Sequence, residues 1–189
     1  MRKIATTVGF VLTCLFTGLM LDTSAWAASG ADVCGIYTQA DASALLQESV
    51  PDGVSRTTTF PAGDSCRYTF QKNGGSYGIQ VRVCESAAIK EEGIYESAAD
   101  VMTRQVRAHQ AKNLADDKFR LIPNLGDEAF WNGTDLFARK GDTLLIIKVN
   151  AFLTGSFKDM QEANNAAMDQ NLKLSQHIAE TVLSRVNQP

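Results

Sequence analysis

The residues best suited to catalysis are two histidines, His109 and His177, which lie far apart in stretches with helical periodicity. A serine or cysteine hydrolase needs a nucleophile on a sharp turn or helix start beside an oriented histidine base. The sequence contains no G-x-S-x-G motif, and its nearest segment is Gly155-Ser156-Phe157. We therefore interpret both histidines as edges of amphipathic helices and assign no catalytic residue.

The acidic residues do not form a catalytic or metal-binding group either. Asp127 and Glu128 are adjacent, and neighbouring residues of a strand point to opposite faces of the sheet. The sequence has no Asp-rich calcium loop. Its dispersed cysteines and distant histidines do not resemble a zinc site. The sequence thus predicts no metal site and no cofactor.

The cysteines suggest a single disulfide bond. Cys14 lies in an apolar N-terminal run, and Cys34, Cys66 and Cys84 follow further along the chain. The positive residues and short apolar run around Cys14 are typical of a cleavable signal peptide, so an exported chain would keep three cysteines, form one bond and retain one thiol. In the hairpin predicted around residues 72–75, Cys66 lies on the apolar face and Cys84 on the other, which disfavours a bond between them. The favoured pair is Cys34–Cys66, with Cys84 free or paired with a second molecule.

Apolar residues on one face of the predicted C-terminal meander are the candidate contact residues. They are Phe130, Phe137, Leu144 and Ile146, and they alternate with charged residues on the same face. An apolar patch with a charged rim is typical of a contact site for a protein partner or a small hydrophobic ligand. The alternative is that a loop or helix of the same domain covers this face.

The elements that position these residues follow the order helix, three strands, helix, three strands, helix. The helices are predicted from Thr38, over 87–116 and over 159–186, and the strands at 54–60, 65–71, 77–83, 126–131, 134–139 and 143–150. Asn132-Gly133 predicts a type I′ turn. The pattern indicates an α+β fold with an antiparallel sheet, helices packed on one face, and a weak internal duplication.

The predicted register also divides the C-terminal meander into two faces, because side chains alternate along a strand. The core face is predicted to carry Ala129, Trp131, Leu136, Ala138, Leu145, Ile147 and Val149. The four candidate contact residues lie on the opposite face.

Five short segments carry a family resemblance. They are Cys34 before TQADASALL, then SCRYTF, NLGDEAFW, KGDTLLIIKV and NLKLSQHIAETVLSRV. Together they resemble a broad group of exported or lipid-anchored bacterial domains of unknown function, best represented among actinobacterial lipoproteins and related to extracellular sensor-type domains. In that group the cysteine before the first helix tends to pair with the one in the C-x-[WY] strand, which implies Cys34–Cys66. The group brings no known activity. This chain differs from its lipid-anchored members in lacking a usable lipidation cysteine and in having Cys84.

The N-terminal segment has the three-part pattern of a cleavable signal peptide. Arg2 and Lys3 precede an apolar run over residues 8–21, and small residues end at Ala27. The run is shorter than the roughly 20 residues that a membrane-spanning helix needs. We therefore expect cleavage after residues 1–27, one domain over 28–189 with no membrane span, and a periplasmic or secreted location.

The charge distribution narrows the class of function. The formal net charge is −3, and the basic residues are scattered singly, unlike the basic face of a nucleic-acid-binding protein. We expect a non-enzymatic binding or interaction module of the cell envelope, such as an adaptor, sensor or inhibitor. Its partner would be an envelope protein or a small hydrophobic ligand, and the sequence leaves the oligomeric state open. The alternative is a small periplasmic hydrophobic-ligand carrier or a hydrolase.

Overall fold

One seven-stranded antiparallel sheet organises the computed structural model, which describes residues 31–111 and 118–186. The strands are β1 Val54–Thr59, β2 Ala62–Lys72, β3 Gly75–Glu85, β4 Arg120–Leu121, β5 Glu128–Trp131, β6 Asp135–Lys140 and β7 Thr143–Asn150. The helices are α1 Val33–Ile36, α2 Gln39–Leu46, α3 Ser86–Glu92, α4 Ala98–Ala111 and α5 Met160–Val186. None of the described helices is long and apolar enough to cross a membrane. The predicted signal peptide lies outside the described residues.

The strand order β1-β2-β3-β7-β6-β5-β4 places two meanders side by side. The last strand of each meander, β3 and β7, pairs antiparallel at the centre of the sheet. In the first meander Asn73 and Gly74 have φ angles of 50° and 77° between the paired residues Lys72 and Gly75. A two-residue type I′ turn requires this conformation. The α+β class with an antiparallel sheet is therefore confirmed.

The turn between β5 and β6 lies one residue later than predicted. The Asn132 N–H donates to the Asp135 carbonyl oxygen at 3.1 Å, which makes Gly133 and Thr134 the central residues. Gly133 has a φ of 101° at the first central position, as in a type II′ turn rather than the predicted type I′ turn. The strand register moves by two residues in consequence. Each side chain keeps its predicted face because the faces alternate with a period of two.

The larger core lies on the face of the sheet that α1, α2 and α5 cover. The residues predicted for the core face of the second meander are all buried there: Ala129, Trp131, Leu136, Ala138, Leu145, Ile147 and Val149. From α5, Leu172, Ile178 and Val182 pack into the same core. Leu172 and Ile178 are two steps of three residues apart, and Val182 follows four residues later, so all three lie on one side of the helix. The predicted core face is therefore confirmed.

The second face of the sheet is covered in part by α3 and α4, which differs from the predicted packing of all helices on one face. The single helix predicted over 87–116 is divided, because Gly93 ends α3 as a left-handed C-cap with a φ of 84°. The chain then restarts as α4 and packs Val101 and Met102 over Phe130. These two helices bury some of the apolar side chains of this face, including Phe130 and Leu144.

The two meanders are arranged symmetrically, whereas their helices are not. A two-fold rotation about an axis perpendicular to the sheet, between β3 and β7, would exchange the two meanders. Such a rotation does not exchange the two faces of the sheet, so equivalent helices would pack against the same face. However, α2 packs against one face and α4 against the other. The symmetry is therefore limited to the strands, and the weak internal duplication stays a prediction.

Candidate functional site

A cleft of about 330 Å³ lies on the second face, between the sheet and α4. We call it the sheet cleft. Its apolar lining consists of Phe60, Pro61, Tyr95, Val101, Phe137 and Ile146. Its polar lining consists of Gln80, Arg82, Gln105, Asp135 and Lys148. Helix α4 packs against β6 and β7, and the cleft forms along the edge of that covered area.

Two rows of side chains cross the floor of the cleft because of the strand register. In one row Arg82 of β3 lies opposite Ile146 of β7, and Ile146 lies opposite Phe137 of β6. In the next row Gln80, Lys148 and Asp135 lie opposite one another on the same three strands. Residues two apart in a strand share a face, so on the cleft floor a row of Arg82 and two apolar side chains borders a row of three polar side chains.

Arg82 has donors without acceptors. Its side chain is half-buried, and Nη1 donates to the Phe60 carbonyl oxygen at the long distance of 3.4 Å. Its Nε is buried without a hydrogen-bond partner among the described residues. A buried donor left unpaired costs roughly 1–3 kcal/mol, and a bound water, ion or ligand is a common reason for one. Arg82 is thus the cleft residue most in need of an acceptor.

The charged groups that line the cleft are two cations and one carboxylate, counted over residues 31–111 and 118–186. Lys148 is exposed and forms no ion pair with another described residue. The Asp135 carboxylate accepts a hydrogen bond from Thr134 Oγ1 at 3.0 Å. Arg67 does not line the cleft, but its Nη2 donates to Oε1 of the lining residue Gln80 at 2.8 Å. The described residues that line the cleft carry one more positive than negative charge, whereas the formal net charge of the whole chain is −3.

The four predicted contact residues do not form one exposed patch. Phe130 and Leu144 are fully buried beneath α3 and α4, so their assignment to a contact surface is corrected. Phe137 is 9% exposed and stacks on Phe130 with ring centroids 4.7 Å apart. Phe137 and Ile146 remain candidates, since both line the sheet cleft.

The cysteines form the favoured pair. Cys34 of α1 is bonded to Cys66 of β2. Cys84 is a free thiol on the second face and is fully buried. Burial raises the pKa of Cys84 to about 12. In this fold Cys84 is therefore not accessible for a bond to a second molecule.

The two histidines lie in different layers of the molecule. The ring of His109 on α4 stacks on Phe119 at 5.1 Å between centroids. His177 is exposed on α5, which covers the opposite face of the sheet. Neither residue lines the sheet cleft. Among the described residues, no three or more histidine, cysteine or acidic side chains are arranged to hold a metal ion.

Arg82 and Lys148 are the functional candidates that sequence reasoning missed. Because side chains alternate between the two faces of a strand, Arg82 and Lys148 can each be assigned to the second face. This alternation does not predict that their two strands are neighbours in the sheet. They become neighbours because β3 pairs with β7, and these strands belong to different meanders. No local sequence pattern encodes that pairing.

Comparison with family models, curated proteins and solved structures finds no match for this chain. The resemblance to exported bacterial domains therefore stays a prediction. The geometry of the sheet cleft is the basis for a functional proposal.

Proposed function

We propose that this chain is an exported binding module that holds a small ligand in the sheet cleft without catalysing its conversion. The observation that carries the proposal is the cleft itself, whose lining combines apolar side chains with several polar and charged ones. Small-molecule sites combine an apolar lining with a few polar groups in this way, at volumes of roughly 300–1,000 Å³. The volume of about 330 Å³ suits a ligand of metabolite size.

Two further features support the exported setting. The Cys34–Cys66 bond is of a kind that persists in oxidising compartments, and the N-terminal pattern predicts a signal peptide. The resemblance to exported sensor-type domains agrees with this setting. A sensor or adaptor of the cell envelope would read the ligand through the cleft.

A fragment screen tests the proposal. The purified protein is screened by ligand-observed NMR against neutral, cationic and anionic fragments. Fragments that bind the wild type should lose binding to Gln105→Trp, because the new indole fills the cleft. They should keep binding to the control Arg107→Trp, since Arg107 is exposed on the same helix and does not line the cleft. Circular dichroism checks that both variants are folded. Equal binding to both variants, or no binding fragment, would reject the proposal.

A further inference from the structure

We infer that the sheet cleft binds an oxyanion, a carboxylate or a phosphate monoester carried on a small apolar body, with Arg82 and Lys148 as the anchoring residues. The inference rests on the proposed function and deepens it by naming the class of ligand. It also accounts for a cationic cleft in a protein whose formal net charge is −3.

Arg82 and Lys148 can reach the same group. They lie on neighbouring strands and on the same face, and Arg82 is opposite Ile146, two residues before Lys148. Such diagonal neighbours have side chains roughly 7–8 Å apart at their bases, which two long side chains can bridge to one oxyanion. The planar guanidinium of arginine matches a carboxylate or phosphate with two parallel hydrogen bonds, and lysine adds a point charge.

The donors of these two residues are largely unused. The one hydrogen bond from Arg82 to a described residue is the 3.4 Å contact with the Phe60 carbonyl oxygen, and its Nε has no partner in the same part of the chain. A bound oxyanion would supply strong acceptors to this guanidinium. No such acceptor comes from Asp135, which lies opposite Lys148 and accepts from Thr134.

The nearby carboxylates of α3 and α4 do not line the cleft. Glu92 Oε2 accepts from the Ala62 N–H at 2.5 Å, whereas Glu92 Oε1 is buried without a hydrogen-bond partner among the described residues. Asp100 forms an ion pair with Arg104 at 2.9 Å. Among the described lining residues Asp135 is therefore the single carboxylate, and two cations outnumber it.

The apolar lining determines what carries the oxyanion. Ile146 and Phe137 continue the Arg82 row across the floor, and Tyr95 also lines the cleft. Phe60, at the tip of the β1–β2 hairpin, is 64% exposed beside the same cleft. An anion bound by Arg82 would place an attached ring or short alkyl chain against these side chains.

The test uses three matched probes: phenylacetate, phenyl phosphate and the neutral phenylacetamide. Their affinities are measured by NMR titration of the purified protein at low and high salt. At least one anionic probe should bind about tenfold more tightly than the amide, because hydrogen bonds to charged groups are the stronger ones. High salt should weaken that preference. The two anions distinguish a carboxylate site from a phosphate site.

Two charge-removing variants locate the anchor. Lys148→Gln, at an exposed position, should weaken the preferred anion about tenfold. Lys140→Gln removes an equal charge at the far end of β6, outside the cleft, and should leave the affinity unchanged. Arg82→Gln should weaken the affinity for the preferred anion as much as Lys148→Gln does. If Arg82→Gln does not fold, the affinity of Lys148→Gln alone tests the anchoring role.

The outcomes separate this inference from the proposed function. If the amide binds as tightly as the anions, the proposal that the cleft binds a ligand stands, but the inference that the ligand is an oxyanion is overturned. If Lys148→Gln and Lys140→Gln lose the same affinity for the preferred anion, Lys148 is not an anchoring residue and the inference is overturned. A lack of binding by all three probes would also overturn the inference, and the fragment screen would judge the proposed function independently.

Discussion

The ion pair between Asp41 and Arg185 connects two distant parts of the chain through single side chains. Arg185, near the end of α5, donates to both carboxylate oxygens of Asp41 at 2.5 and 3.0 Å. It also donates to the Ile36 carbonyl oxygen at 2.7 Å. The hydrogen bonds from Arg185, together with those from Thr38, hold the pKa of Asp41 well below its ordinary value. The charged form of Asp41 therefore stabilises the fold.

Asp41→Asn should remove this stabilisation at neutral pH. A carboxyl group with a lowered pKa in the folded state contributes stability above its unfolded pKa of about 4. That contribution is lost as the pH falls toward the folded pKa. We expect a loss on the order of 1 kcal/mol at pH 7, since the pair is partly exposed, and a smaller difference at pH 3. Urea unfolding at the two pH values measures it.

The surface pair Arg120–Asp169 provides a control for that measurement. It has a distance of 3.0 Å, and both side chains are more exposed than Asp41. Asp169→Asn should change the free energy of unfolding by no more than about 0.5 kcal/mol. A loss in Asp41→Asn that stays equal at both pH values would show that the charge of Asp41 is not responsible.

Cys84 should be inert to alkylation while the protein is folded. It is fully buried, and its pKa is raised to about 12, whereas the thiolate is the reactive form. For the chain 28–189, which lacks Cys14, intact-mass measurement after treatment with iodoacetamide should show no adduct in native buffer and one adduct in denaturant without reductant. One rapid adduct on the native protein would contradict the buried position.

At the scale of elements, α4 is attached to the sheet through a layer of aromatic side chains. Phe130 and Phe137 stack on neighbouring strands, and Phe119 packs against Phe130 at 5.6 Å between centroids. Val101 and Met102 of α4 bury themselves in the same cluster. This layer holds α4 against the sheet, and the sheet cleft lies along the edge of α4.

Phe137→Ser should therefore destabilise the whole domain. Replacing a buried phenylalanine by a small residue leaves a cavity and costs about 3–5 kcal/mol. The exposed Phe60 is a matched control, and Phe60→Ser should change stability by no more than about 0.5 kcal/mol. Chemical denaturation of both variants gives the comparison. A Phe137→Ser protein as stable as the wild type would show that this face is a surface.

The sequence predicts an element correctly where a short local signal, such as a capping box or a two-residue turn, determines the structure. The capping box at Thr38 and Asp41 begins α2 as expected, and the Asn73-Gly74 turn sets its hairpin. The break at Gly93 was missed because the residues on both sides favour a helix. Strand β4 was missed because its two residues, Arg120 and Leu121, give no periodicity. The covering of the second face depends on tertiary packing, which local periodicity does not encode.

At the scale of the molecule, one covalent bond ties the first helix to the sheet. Cys34 and Cys66 are 32 positions apart, and β2, which carries Cys66, lies next to the edge strand β1. A crosslink of this span limits the unfolded chain and stabilises the fold by about 3–4 kcal/mol in the loop-entropy model. Part of the stability of the fold therefore depends on the oxidised state.

Reduction should lower the stability by that amount. Urea unfolding with and without a thiol reductant should show the loss in the wild type. The double variant Cys34→Ser, Cys66→Ser should be equally destabilised and insensitive to the reductant. If the reductant lowers the stability of the double variant as well, the effect comes from something other than this bond.

The pairing of β3 with β7 also leads to a prediction about the order in which the chain folds. Hydrogen bonds inside each meander join residues close in sequence, whereas Gly78 pairs with Asn150 and Glu85 with Thr143 across the centre. Contacts between distant residues form slowly, since a long loop must close first. The two meanders should therefore form early as separate units, and their docking along this seam should limit the folding rate. The sheet cleft, whose floor spans the seam, would be among the last features to take shape.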